Sequence, residues 1–269
     1  MKGLSIEIAS GFTTANDGVR LYYEDGGRGE TIILIHGGGL SLEWWWKQTS
    51  VLRKNFRVIA ADTRGNGRSD KTPWGHRTAR YAMDIREIID DLGLHDVTVV
   101  GWSIGARTVL SYLELFRDYR LRGAVLVDEV PTIEVHDPPP EQPGPVPEDE
   151  TERKRFDLRQ MFETAIVSDE ELDRLIKASA GNSQDQGITL GADYRGQDWR
   201  SLCPAIDLPV LIVTGGKSGA YPGCLYMAEQ IPGARLVTCE RSGHAPFYEE
   251  PGKFNNAISN FVTSISRWT

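Results

Sequence analysis

Short, predominantly apolar runs alternate along the chain with segments in which apolar residues recur every three or four positions. The apolar runs lie at residues 31–35, 56–61, 97–100, 124–127 and 210–213. Runs that are apolar at nearly every position predict strands buried on both faces, as in a parallel sheet. Helical spacing separates these runs, so the pattern predicts right-handed βαβ crossovers and an α/β fold with a mostly parallel sheet.

Three segments have the apolar spacing of helices that pack against such a sheet. Residues 82–92 carry one apolar stripe, and Gly93 follows as a helix stop. Residues 104–116 continue a second stripe, and residues 251–265 form a third that starts at Pro251. We therefore expect a sheet covered by helices on both faces.

The region of residues 132–200 breaks this alternation, because it contains no convincing parallel strand. Residues 158–165 carry one helical face, and residues 168–171 form a capping box that opens a further helix. We expect this second helix to end near Gly181. The chain is therefore predicted to divide into a core, residues 1–131 and 201–269, and a helical cap insertion, residues 132–200.

Charge and composition exclude several classes of partner. The chain of 269 residues has a net charge of −8 and no basic block, which disfavours nucleic acid and anionic membranes. No apolar stretch is long enough for a membrane span and no signal peptide is visible, so we expect a cytoplasmic protein. The three cysteines lack the spacing of metal ligands and are expected to be buried thiols.

One short motif carries the first candidate for chemistry. The sequence Gly101-Trp102-Ser103-Ile104-Gly105 matches G-x-S-x-G and lies between a predicted strand and a predicted helix. This is the context of a nucleophile elbow, in which bulk at either glycine would strike the neighbouring strand or helix. The alternative is a glycine-rich turn that happens to contain a serine. As a nucleophile, Ser103 would need an adjacent general base.

Four segments together resemble the α/β-hydrolase superfamily over essentially the whole length of the chain. They are I-H-G-G-G at 35–39, D-T-R-G-N-G-R-S at 62–69, G-W-S-I-G at 101–105 and S-G-H-A-P at 242–246. The resemblance implies an α/β-hydrolase sheet with a helical cap, with His244 as the base because the base comes last in chain order. It also implies an oxyanion hole formed by the backbone N–H groups of Gly38 and Ile104, and a structural role for His36. Further histidines such as His76 are expected to be solvated polar residues.

A serine triad also needs an acid that orients the histidine and stabilises its positive charge. In this chain the acid departs from the common pattern of the superfamily, which places an aspartate shortly after the seventh strand. That position holds Ser218, and no carboxylate occurs between Asp207 and Glu229. Either the triad is broken or the acid follows the sixth strand, where Asp128 and Glu129 stand side by side.

The two carboxylates cannot both serve while the chain is extended, because successive side chains point to opposite faces. We favour Asp128, which resembles the sixth-strand acid of some haloalkane dehalogenases. Glu129 is the second choice, since E-x-P resembles zearalenone-type lactonases. A third possibility is that both carboxylates only cap the end of the strand.

A serine nucleophile, a histidine base and an oxyanion hole predict acyl transfer that needs no metal and no organic cofactor. We expect a small or medium apolar ester or lactone as the substrate. Hydrolysis of a C–C bond in a dienoate is disfavoured, because the sequence shows no clear basic motif for a substrate carboxylate, with Arg107 as the one candidate contact. The alternatives are a cofactor-free perhydrolase or haloperoxidase, and a non-catalytic ligand receptor. An exposed apolar face of the cap would support a homodimer.

The residues expected to contact the substrate are Trp102, Gly39, Leu40, Trp199 and Phe162, with Phe156, Met161 and Tyr194 as further cap candidates. The alternative is that most of the aromatic residues among them hold the cap on the core.

Overall fold

The computed structural model describes residues 7–117, 120–135, 145–164, 167–179 and 184–265. Eight strands form one sheet: β1 Ile8–Thr14, β2 Arg20–Gly26, β3 Thr31–Ile35, β4 Arg57–Ala61, β5 Val97–Trp102, β6 Leu121–Val127, β7 Val210–Gly215 and β8 Arg235–Cys239. Their order across the sheet is β1-β2-β4-β3-β5-β6-β7-β8.

Nine α-helices connect or cover these strands within the described part of the chain. They are α1 Trp46–Leu52, α2 Thr78–Asp91, α3 Ile104–Phe116, α4 Glu150–Arg159, α5 Asp169–Ala178, α6 Gln184–Gly196, α7 Tyr221–Gln230, α8 Pro246–Glu249 and α9 Pro251–Ser264. Among the residues described, no helix combines the length and the apolar character needed to cross a membrane.

The sheet is mostly parallel, which confirms the predicted fold class. Only β1 with β2 and β2 with β4 pair antiparallel, and every other neighbouring pair is parallel. The chain passes from β3 outward to β4 and then returns to β5 on the other side of β3. Such a reversal opens a crevice at the carboxyl ends of the strands, where ligands bind in open α/β sheets.

The two faces of the sheet have separate hydrophobic cores, as the continuous apolar runs predict. On β3, Ile33 and Ile35 face the cluster under α2 and α3. Ile32 and Leu34 face the opposite cluster, which includes residues of α9. All four side chains are fully buried. Burial of each such side chain contributes about 1.5–3 kcal/mol, so these alternating contacts fix the sheet between its helical layers.

Helices α4, α5 and α6 lie in the region between β6 and β7 that was predicted to be an insertion. Both ends of this region meet at one point: Thr132 forms an isolated bridge with Asp198, and the Trp199 N–H donates to the Pro131 carbonyl at 2.9 Å. The insertion therefore leaves and rejoins the core side by side. Its division from the core as a separate cap domain remains a prediction.

Three local expectations need adjustment. Helix α4 ends at Arg159, before the predicted stripe reaches Phe162, and Ala165 lies outside the described residues. Helix α5 begins as expected, because the Ser168 hydroxyl accepts from the Glu171 N–H at 3.2 Å, but it ends at Ala178; Gly181 also lies outside the described residues. His76 is buried and not solvated, since its ring bonds to the Thr72 carbonyl and the Tyr81 hydroxyl.

Candidate active site

Ser103 lies in a strained turn between β5 and α3. Its backbone has φ 55° and ψ −124°, a conformation that non-glycine residues rarely adopt. Strain of this kind costs on the order of 1–3 kcal/mol and persists only where the surrounding structure enforces it. The sheet and the helix supply that enforcement, so the turn is the elbow that G-x-S-x-G predicted.

The two glycines of the motif are required by close backbone contacts. A Cβ atom at Gly101 would lie 2.2 Å from the carbonyl oxygen of Gly105, and one at Gly105 would lie 2.4 Å from that of Ile35. Both contacts are with backbone atoms, which cannot move aside as a flexible side chain could. Glycine at these positions lets the elbow pack directly against its own helix and against β3.

The predicted base and the predicted acid meet at the carboxyl edge of the sheet. His244 follows β8 and precedes α8, and its Nδ1 lies 2.7 Å from the Asp128 Oδ2 atom. Asp128 immediately follows β6, has φ 49° and is fully buried. An imidazole that donates from Nδ1 to a carboxylate keeps Nε2 unprotonated, which is the tautomer that a general base requires.

Four hydrogen bonds hold the Asp128 carboxylate. Oδ1 accepts from the Thr214 hydroxyl at 2.7 Å and from the Gly215 N–H at 2.9 Å. Oδ2 accepts from the Ser218 hydroxyl at 2.5 Å, in addition to His244. Ser218 occupies the place where the common pattern has its acid, and here its hydroxyl donates to the predicted acid instead.

Glu129 points into a different environment from Asp128. Its Oε1 accepts from the Arg107 guanidinium at 3.1 Å and from the Val130 N–H at 2.8 Å. Arg107 is fully buried, stacks on the Tyr194 ring at 3.6 Å, and also donates to Gln197. The ion pair occupies Arg107, which corrects the expectation that it could receive a substrate carboxylate.

Backbone and indole hydrogen bonds connect the turn of Ser103 to the segments that carry Asp128 and His244. The Ser103 N–H donates at 3.1 Å to the carbonyl of Val127, the residue before Asp128. Trp102, the residue before Ser103, donates from its indole nitrogen to the His244 carbonyl at 2.8 Å. The structure therefore brings Ser103, His244 and Asp128 to one edge of the sheet, whereas their catalytic roles remain predictions.

The electrostatics of His244 favour its protonated form more than in a free imidazole. Burial lowers the pKa of His244, but the hydrogen bond from its ring to Asp128 and the charge of that carboxylate raise it by more. The net pKa is raised above the ordinary value of 6.5. About 31% of the side chain remains accessible, so the ring can also be reached from the solvent side.

Glu249 connects the loop of His244 to the cap. Its Oε2 accepts from the Gly243 N–H at 2.7 Å. Its Oε1 accepts from the backbone N–H groups of Glu163 and Thr164 and from the Thr164 hydroxyl, each at 2.8 Å. One carboxylate thus fixes the base-bearing loop and the segment after α4 relative to each other.

The glycine-rich loop after β3 lies beside the start of α3. A Cβ atom at Gly38 would come within 2.8 Å of the Ile104 side chain, so the two predicted oxyanion residues are direct neighbours. Ile104 is the first residue of α3, and the first N–H groups of a helix have no partner within it. The two residues are neighbours, and their role as oxyanion donors remains a prediction.

The ring of His36 connects the glycine-rich loop to Thr63 through hydrogen bonds. Its Nε2 accepts from the Thr63 N–H at 3.1 Å, which assigns the ring proton to Nδ1, and Nδ1 then donates to the Gly37 carbonyl at 2.7 Å. Burial lowers the pKa of His36 to about 4, so the ring stays neutral near pH 7. This geometry agrees with the structural role that the resemblance implied.

A cavity of about 380 Å³ lies between this loop and the cap. Helix α6 forms its cap side. The lining residues are Gly38, Gly39, Ile104, Gln186, Gly187, Leu190, Gly191 and Tyr194. The volume is near the lower end of the range for small-molecule pockets, and Gly38 and Ile104 place the cavity directly at the predicted oxyanion hole.

The structure places some of the predicted substrate contacts at the cavity and others in the hydrophobic core. Gly39 lines the cavity, and so does Tyr194 among the further candidates. Trp102 is fully buried, and Trp199 is 3% exposed with its indole donating to Glu114, which favours core packing over substrate contact for both. Leu40 and Phe162 belong to the cluster on the α9 side; Leu40 is buried in it, and Phe162 stacks on Trp44 at 6.2 Å between ring centroids.

Apart from Tyr194, sequence reasoning missed the residues of α6 that line the cavity, and it missed the hydroxyls that hold Asp128. The α6 segment, Q-D-Q-G-I-T-L-G-A-D-Y-R-G, has little apolar periodicity, so no pattern indicated which face would meet the site. The Ser218 contact had one signal, namely a hydroxyl where the common pattern has a carboxylate; the Thr214 contact had none.

This fold and this edge of the sheet define a protein of the α/β-hydrolase class. The family model for the alpha/beta hydrolase fold matches residues 30–170, and the chain belongs to that family. No cluster of three or more side chains suited to a metal occurs among the residues that the structure describes.

Named relatives include a haloperoxidase, an esterase/perhydrolase and an esterase. A non-heme chloroperoxidase of Kitasatospora aureofaciens is 28% identical over 93% of this chain and 98% of its own length. A bifunctional esterase/perhydrolase of Acinetobacter calcoaceticus is 34% identical over 46% of each chain. An esterase structure from Exiguobacterium antarcticum has a TM-score of 0.79 and 28% identity, covering 94% of this chain and 99% of its own. These similarities support a hydrolase.

Proposed function

We propose that this protein is a serine hydrolase that cleaves a small or medium, uncharged ester or lactone through an acyl-enzyme. The observation that carries this proposal is the 2.7 Å contact between His244 Nδ1 and the fully buried Asp128, beside the elbow of Ser103. A base oriented in this way, next to a strained serine and a candidate oxyanion hole, is the arrangement that acyl transfer needs.

In the proposed reaction, Ser103 Oγ attacks the substrate carbonyl while His244 Nε2 takes the hydroxyl proton. The N–H groups of Gly38 and Ile104 stabilise the oxyanion of the tetrahedral intermediate. His244 then protonates the departing alcohol, which leaves an acyl group on Ser103. Water attacks this acyl-enzyme with His244 as the base, and the carboxylic acid is released. Asp128 stabilises the imidazolium in both steps.

A second candidate is perhydrolysis, favoured by the names of two relatives, a chloroperoxidase and a bifunctional esterase/perhydrolase. On the same residues, hydrogen peroxide replaces water in the attack on the acyl-enzyme, so a peracid forms in place of the acid. The acyl-enzyme is common to both reactions. They differ only in which nucleophile takes over the acyl group.

The test compares wild type and Ser103→Ala on p-nitrophenyl esters and aryl lactones, with and without hydrogen peroxide. Serine-dependent turnover is expected, and Ser103→Ala should lose most of it, with a residual rate from binding and the oxyanion donors alone. Peracid formation competing with hydrolysis would add the second activity. Turnover that survives in Ser103→Ala would refute the serine mechanism, and well-folded protein without turnover would favour a ligand receptor.

A further inference from the structure

One face of helix α6 forms the cap side of the cavity. Gln186, Gly187, Leu190, Gly191 and Tyr194 recur at the spacing of a single helical face, and all five line the cavity. Two of them, Gly187 and Gly191, lack side chains and lie four residues apart. Between them runs a strip of bare helix backbone about 6 Å long.

This strip is open, whereas the opposite wall is not. A Cβ atom at Gly187 would meet no atom within 4 Å, and one at Gly191 would meet only the end of Arg195 at 3.7 Å. At Gly38 on the opposite wall, a Cβ atom would come within 2.8 Å of Ile104. Glycine inside a helix is less stable than alanine, and the protein's own packing does not require it at residues 187 and 191. Gly187 is exposed, Gly191 is half-buried and both line the cavity, so the space that they leave opens onto it.

The cavity is also uncharged. None of its eight lining residues carries a formal charge at pH 7, and Ile104 and Leu190 give it apolar walls. Arg107, behind Tyr194, is fully buried and paired with Glu129. A charged substrate group would therefore find no oppositely charged partner among the eight lining residues.

We infer that Gly187 and Gly191 determine substrate specificity, because they leave a slot on α6 that accepts an uncharged, linear alkyl group of the substrate. Gly187 sets the length of chain that the slot accepts. This inference rests on the proposed serine hydrolase function, since it names which substrates that site prefers.

The experiment measures kcat/KM for p-nitrophenyl esters from acetate to octanoate and for acetate esters of alcohols of increasing length. The variants are Gly187→Ala, Gly187→Leu and the matched control Gly196→Leu. Gly196 ends the same helix, has no atom near an added Cβ and does not line the cavity. Melting temperatures check that each variant folds, and Gly187→Ala keeps the test valid if the larger substitution does not.

We expect Gly187→Leu to lower the ratio of long-chain to acetate turnover about tenfold or more in one of the two series, since a methylene in a filled pocket changes specificity by about that factor. Gly187→Ala should change it less, and Gly196→Leu less than twofold. An unchanged ratio in both series, or an equal loss on all substrates, overturns the inference. Either result leaves the proposed function standing as long as turnover still depends on Ser103.

Discussion

Replacing Asp128 by asparagine tests the assignment of the acid most directly, because the carboxylate's surroundings fix how the amide must sit. The Gly215 N–H can only donate, so it needs the amide oxygen, and the amide nitrogen is forced toward Ser218 and His244. That nitrogen donates to Nδ1 and drives the imidazole proton to Nε2. The ring then cannot accept the proton of Ser103.

The expected cost follows from this change of tautomer. The same substitution in serine proteases lowers kcat by about 10⁴-fold, or about 5 kcal/mol of transition-state stabilisation. Asp128→Asn should fall in this range with p-nitrophenyl acetate, while its fold is retained. The matched control is Glu129→Gln, which keeps both hydrogen bonds of Glu129 Oε1 but removes the charge opposite Arg107.

Glu129→Gln should affect stability and not the rate. Disrupting a buried ion pair from one side costs about 3–5 kcal/mol, and the retained hydrogen bonds place this variant at the lower end. Its kcat/KM at 25 °C should stay within a few-fold of wild type. A large rate loss in Glu129→Gln with little in Asp128→Asn would move the acid to Glu129. Small, equal losses would refute a sixth-strand acid altogether.

Three further predictions concern His244, the predicted base, and the support of Asp128, the predicted acid. Because the pKa of His244 is raised above 6.5 and catalysis needs its neutral form, kcat/KM should fall on the acid side with a midpoint above 6.5; a midpoint at or below 6.5 contradicts the ion-pair geometry. Because the pKa of His244 is higher in the folded protein than in the unfolded chain, the His244–Asp128 pair stabilises the fold fully below the unfolded pKa. This stabilisation is lost as the pH rises through the folded pKa. The free energy of unfolding in urea, measured between about pH 6 and 9, tests this expectation. Ser218→Ala removes one donor to Asp128 Oδ2, so it should lower kcat about tenfold and move the acid limb to higher pH; loss of stability with an unmoved pH profile would show that Ser218 only packs.

The sequence was sufficient for those parts of the site that local chemistry dictates. A nucleophile elbow needs small residues at fixed offsets and a strand and helix on either side, so Ser103 could be placed from its neighbours alone. Asp128 was favoured because the position near Ser218 lacks a carboxylate and the resemblance offered the end of β6 as the other location of the acid; its catalytic role remains a prediction. Neither inference required knowledge of tertiary contacts.

The lining of the cavity could not be predicted in the same way. Hydrophobicity indicates that a side chain avoids water, but not whether it faces the core or an open pocket. Trp199 offers a large apolar surface, and the core gains most by burying it. Gly187 carries no side chain and hence no signal, although its lack of a side chain is what shapes the pocket.

The hydrogen bonds of Glu249 couple the position of the cap to the position of the loop that carries His244. The carboxylate accepts from Glu163 and Thr164 with one oxygen and from Gly243, next to His244, with the other. An outward movement of this part of the cap either breaks three hydrogen bonds or pulls the loop of His244 with it. An outward movement that keeps these hydrogen bonds therefore displaces the candidate base, so an opened cap and an undisturbed His244 loop are compatible only when the bonds to Glu249 are broken.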